Sequence, residues 1–94
     1  MKPAPAWYNP DSRKEPRRQA NGAVRVTFEN PQKREILGRL VDVSTSGFRM
    51  AHEFAALESG QAVEFSHTEA VGRARVVWNR IADGRVETGF VVLG

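Results

Sequence analysis

Ile36-Leu37-Gly38-Arg39-Leu40-Val41-Asp42-Val43, then Ser44-Thr45-Ser46-Gly47, then Phe48-Arg49-Met50, is the stretch that decides the fold. Its first eight residues mix β-branched and apolar side chains with interleaved polar ones, as a half-buried strand does. Ser-Thr-Ser-Gly supplies turn chemistry, and Phe-Arg-Met resumes the alternation. Two strands joined by a tight turn make a hairpin.

Working outward, Val24, Val26 and Phe28 alternate with Arg25 and Thr27, the period of a strand with one buried face, and Asn30-Pro31 breaks it. Downstream, residues 53–58 (EFAALE) predict a short helix closed by Ser59-Gly60. Strands follow at Ala62 to Phe65 and at Ala74 to Trp78, and Ala82-Asp83-Gly84 turns the chain into a last strand, Val86 to Leu93. About six short strands, with turns roughly every 8 to 12 residues, predict an all-β chain forming a six-stranded antiparallel β-barrel with one short helix.

Ninety-four residues suffice for one core and not for two. With 40% hydrophobic and 27% charged residues, the composition is that of a globular chain. No apolar run approaches the roughly 18 residues that span a bilayer, and the first dozen lack the apolar stretch of a signal peptide, so a soluble, cytoplasmic protein is expected. There is no cysteine, which removes thiolate chemistry and disulfides. His52 and His67 stand without metal-ligand spacing and are expected as ordinary surface histidines.

The net charge of +3 is unevenly spread: residues 1–34 hold eight basic and three acidic side chains, and the remainder six and eight. Residues 1–22 also carry four of the five prolines and show no periodicity, so they are expected as an arm outside the core, with Trp7 and Tyr8 docked on the domain. A basic cluster of this kind attracts a phosphate, a nucleic acid or a lipid headgroup.

Two short motifs bear on chemistry. In Asp42-Val43-Ser44-Thr45-Ser46-Gly47, Asp and Ser can do no more than satisfy turn N–H groups, with Gly47 at positive φ. The same residues can also form a polar shelf, with Asp42 accepting from a guanine N1–H and N2–H₂ edge, Ser44 bonding a base or phosphate, and Gly47 admitting a ligand close to the backbone. In Arg13-Lys14-Glu15-Pro16-Arg17-Arg18, two arginines four apart can clamp a phosphate or stack on a purine. Lys14 and Arg18 are secondary contacts.

In this order the two motifs resemble the PilZ domain, whose signatures are R-x-x-x-R on an N-terminal arm and [D/N]-x-S-x-x-G at a strand end. The resemblance covers residues 13–93 and includes Val24-Arg25-Val26, the Ala74 to Trp78 strand, and Gly89-Phe90. It implies a PilZ domain over 13–94, with an arm at 13–22 and a barrel at 23–94, behind a flexible tail at 1–12. It further implies a receptor for cyclic di-GMP that has no catalytic activity and no cofactor. In such a receptor the arm becomes ordered over the ligand, and Arg13, Lys14, Arg17, Arg18, Asp42, Ser44 and Gly47 form the site. A downstream protein target, no membrane or nucleic-acid partner, and a monomer or weak dimer go with that reading. The chain departs from the fuller family pattern at Lys14, where a second arginine would stand; a lysine can neither stack nor bond bidentately, so a weaker grip is expected.

Three rival readings come from the residues themselves. The basic arm with Trp7 and Tyr8 suits a small-barrel nucleic-acid binder, whose affinity would fall steeply with salt. A PilZ-type adaptor working by protein contacts alone is the second, against which Arg13, Arg17, Asp42, Ser44 and Gly47 are all in place. An enzyme built on Ser44, Asp42 and a histidine is the third, but no G-x-S-x-G elbow is present.

Overall fold

The structure, a computed structural model, describes residues 16–29, 32–54 and 57–94. The tail with Trp7 and Tyr8, arm residues Arg13 and Lys14, and the Asn30-Pro31 break lie outside them. The described residues form seven strands: β1 (Arg18–Gln19), β2 (Ala23–Glu29), β3 (Lys33–Val43), β4 (Gly47–His52), β5 (Ala62–His67), β6 (Val71–Ala82) and β7 (Arg85–Leu93).

All pairings are antiparallel. They run β3-β2-β5-β6-β7-β4, and β4 returns to pair with β3, which closes a six-stranded barrel; β1 lies on β3 as an additional strand. Closure removes the free edges that a sheet of this size would otherwise expose. The reason these segments form strands is visible in β2, where Val24, Val26 and Phe28 point inward and Arg25 points to solvent. The expected turn near Ala82 is present as Asp83-Gly84, both at positive φ (53° and 76°), the backbone that a two-residue hairpin requires.

Strands β3 and β6 exceed their predicted lengths, at 11 and 12 residues, because outward positions on a barrel are polar and interrupt an apolar run without interrupting the ladder. At the centre of the core, Phe48 stacks on Phe90 with ring centroids 4.7 Å apart and tilts against Phe65 at the same distance. Val24, Val26, Leu40, Met50 and Val76 pack around them.

The helix predicted over 53–58 is not found among the described residues. Positions 55 and 56 lie outside these, and Glu53, Phe54, Leu57 and Glu58 are irregular. Their backbone groups are bonded to the barrel instead of to one another: the Phe54 N–H donates to His52 Nδ1 at 3.0 Å, and Asn79 Nδ2 donates to the Leu57 carbonyl at 2.7 Å. Phe54 and Leu57 of this segment are both seated on the core. No helix among the described residues is long and apolar enough to cross a membrane.

Candidate functional site

The register places Asp42 opposite Arg49, Arg49 opposite Gly89, and Gly89 opposite Trp78, a row across β3, β4, β7 and β6. Directly opposed residues share a face of the sheet, and on this barrel the row faces outward. Two bulges make the row possible. The register shifts between Leu40 and Asp42, so that Asp42 and not Val41 meets Arg49. It shifts again between Val76 and Trp78, so that Trp78 and not Val77 meets Gly89. In each case one extra valine brings a polar or aromatic side chain onto the outer face.

Gly89 is required by the indole, since a Cβ there would lie 2.4 Å from Trp78 Cε2 and 2.5 Å from Nε1. Trp78 therefore lies flat against its partner strand. Above this row is an open cleft of about 450 Å³, lined by Arg17, Ser44, Ser46, Gly47, Arg49, Trp78 and Gly89 among others. Its volume falls in the range of small-molecule sites.

Asp42 lies behind the cleft and does not line it. It is 5% exposed, and its oxygens are engaged: Oδ1 accepts from Arg17 Nε at 3.1 Å, and Oδ2 accepts from Arg49 Nε at 2.7 Å and from Arg49 Nη2. Burial pushes the Asp42 carboxyl up, but the Arg49 hydrogen bonds and the charges of Arg17 and Arg49 outweigh it, so the group sits below the usual carboxylate range. The resulting Arg-Asp-Arg triad holds two guanidinium groups at the cleft, where each keeps N–H donors for an anion.

The candidate residues from the sequence thus divide by position. Arg17, Ser44 and Gly47 line the cleft. Asp42 orients two of the groups that do. Arg18 points away, with Nη1 donating to Glu69 Oε2 at 2.9 Å and Nη2 to Oε1. Arg13 and Lys14 lie outside the described residues. Gly47 does not have positive φ, contrary to the turn expectation; a Cβ at 47 would lie 2.0 Å from the Phe90 carbonyl oxygen, so its smallness permits β4 and β7 to approach. The turn itself is closed by the Ser44 N–H donating to the Gly47 carbonyl at 2.9 Å.

Sequence reasoning missed Arg49, Trp78 and Gly89 as site residues. A partial signal existed for Arg49, the polar residue between inward Phe48 and Met50. For Trp78 and Gly89 the signal lay in pairing a large aromatic with a glycine on the next strand, which no local pattern reveals.

His52 and His67 are not the surface residues expected. His52 is buried at 4% exposure, and His67 packs against Phe48 and Phe65 with centroids 4.9 and 5.2 Å away. Because His52 Nδ1 accepts the Phe54 N–H, the ring proton is on Nε2, which donates to Thr88 Oγ1 at 2.6 Å. Thr88 donates on to Asn79 Oδ1 at 2.6 Å, and Asn79 to the Leu57 carbonyl. Thr88 and Asn79 are register partners adjoining the Gly89 and Trp78 pair, so this chain, running from buried His52 and Thr88 to the exposed Asn79, braces the strands of the cleft wall. Burial lowers the pKa of both histidines, against a smaller opposing effect of Glu69 on His67.

Among the described residues no cluster of His, Cys, Asp or Glu could hold a metal ion. Comparison with models of known protein families, and with characterised proteins, gave no match to the chain.

Proposed function

We propose that the chain is a receptor for cyclic di-GMP, without catalytic activity, that takes its ligand in the cleft above Arg49, Gly89 and Trp78. The observation that carries this reading is the convergence of two guanidinium groups, an indole face and a serine-glycine turn around one outward cleft. Arginines suit the two phosphates, the indole suits stacking by a purine, and the turn suits hydrogen bonding to a base or phosphate. The motif resemblance over residues 13–93 supplies the identity of the ligand, and it assigns Arg13 and Lys14, which lie outside the described residues, to the same site. Asp42 contributes by holding Arg17 and Arg49 and not by reading the guanine edge.

Calorimetric titration with cyclic di-GMP, alongside GMP and a short single-stranded oligonucleotide, tests the reading. Binding of the cyclic dinucleotide at micromolar concentration, with a shallow salt dependence, is expected. Silence at 100-fold higher ligand rejects the receptor. Tighter binding of the oligonucleotide with a steep salt slope rejects it in favour of a single-strand binder, the reading that the Trp78 face and Arg80, 5.6 Å over its ring, would otherwise favour.

A further inference from the structure

Arg17 and Arg18 are adjacent, and on an extended segment adjacent side chains point to opposite sides. One of them has to turn from the cleft. Arg18 is the one that does, and its guanidinium meets the Glu69 carboxylate through both terminal nitrogens. Glu69 belongs to the turn between β5 and β6, which has a firm base: His67 N–H donates to the Ala70 carbonyl at 2.9 Å, the Glu69 N–H donates to His67 Nδ1 at 3.1 Å, and the His67 ring packs on Phe48 and Phe65 in the core.

The same turn touches the arm at a second point. Thr68 Oγ1 donates to the Asn21 carbonyl at 3.2 Å, and the arm bends against Thr68 at Gly22, whose φ is +108° and where a Cβ would lie 2.3 Å from Thr68 Cγ2. Between the pairs Gln19 with Asp42 and Ala23 with Arg39 there are three arm residues against two on β3, so the arm bulges at this clasp. The Ala20 N–H donates to the Val41 carbonyl at 3.1 Å, and the Leu40 N–H donates to the Gly22 carbonyl at 2.9 Å. From Arg17 to Gly22 the arm is docked on β3 and on the β5–β6 turn.

We infer that Glu69, with Thr68, is a positioning residue for ligand binding: by drawing Arg18 to the β5–β6 turn it fixes the face of the arm, and so delivers Arg17 to Asp42 and the cleft. This rests on the proposed receptor function for its ligand readout, but not for its structural one. On this inference the segment carrying Arg17 is held in place by the β5–β6 turn before ligand arrives. Preorganisation of this kind lowers the entropic cost of binding.

The test uses the full chain with Glu69→Arg and with the charge swap Arg18→Glu plus Glu69→Arg. Glu69 is on an exposed turn and outside the core, so both variants fold if the barrel does. Amide exchange at Ala20 in the ligand-free protein reads the clamp, and calorimetry with cyclic di-GMP reads positioning. Glu69→Arg is expected to raise Ala20 exchange about two- to ten-fold and to weaken the ligand by a similar factor, since repulsion replaces a surface pair. The swap restores both.

Wild-type exchange in Glu69→Arg, or failure of the swap to restore it, overturns the clamp. Faster exchange with unchanged affinity overturns the positioning role. If the wild type does not bind cyclic di-GMP, the receptor reading falls, and Ala20 exchange alone decides whether Glu69 holds the arm.

Discussion

The cleft has two sides built on different physical terms. The wall, made of Arg49, Gly89 and Trp78, is set by strand register and backed by a hydrogen-bonded chain that runs from buried His52 and Thr88 through Asn79 to Leu57. The arm side, carrying Arg17, is a two-residue strand held by the part-buried Arg17–Asp42 pair, the exposed Arg18–Glu69 pair and a few backbone bonds. Moving a wall residue disturbs the core, whereas lifting the arm exposes little. Local opening is drawn from the parts with few buried contacts, so the arm is where the molecule can respond and the wall is what it responds against.

Asp42 joins the two sides directly, through Arg17 and Arg49. Asp42→Ala is therefore expected to have the largest effect, a loss of about 2 to 4 kcal/mol in a urea melt, because two part-buried guanidinium groups lose their acceptor. The same variant sharpens its assignment: affinity for cyclic di-GMP and cyclic di-AMP falls by a common factor if Asp42 acts through the arginines, whereas a guanine-reading Asp42 would lose selectivity between them.

Gly22→Ala strikes the arm alone. Positive φ and the close approach of Thr68 make it cost about 1 to 2 kcal/mol in local opening, seen as faster exchange at Ala20 with the melting temperature of the barrel little changed. An equal loss at core amides would mean that arm and wall are one cooperative unit.

The smallest effect is a pH slope belonging to the wall. His52 has a lowered pKa when folded, so the unfolded chain binds a proton first as pH falls. Its contribution is complete above the ordinary histidine value of about 6.5 and is lost as pH falls through the lower folded value. His52→Gln flattens that part of the stability curve measured by denaturant at pH 5 to 8. A further fall below about pH 4 belongs to Asp42, whose folded pKa is also lowered and whose stabilisation is lost on protonation.

Much of the barrel was legible in the sequence because a strand with one wet face records its own orientation, as Val24, Val26 and Phe28 do. The Asp83-Gly84 turn was legible for a similar reason, since few residues accept that backbone. The bulges were not. Val41 and Val77 each sit among residues that fit either face, so the one-residue offsets leave no local trace, and with them went the facing of Asp42 and Trp78. The helix expected at 53–58 is not found among the described residues, where Phe54 and Leu57 are bonded to His52 and Asn79 of the barrel, partners that a local helix pattern does not reveal. Asp42 was identified as a polar group of interest, but its partners lie 7 and 25 residues away in the chain, beyond any local pattern.

The two bulges have a consequence for how such a surface can diverge. Deleting Val77 would leave Val76 opposite Phe90 and the tryptophan opposite Gly89, now in an unbroken ladder; deleting Val41 would do likewise for the aspartate and Arg49. The chemical groups on the face would stay the same, and the extra coiling that a bulge imparts would go. Curvature and side-chain identity are thus written in different residues, and a single-codon loss would flatten the cleft face without erasing any group on it.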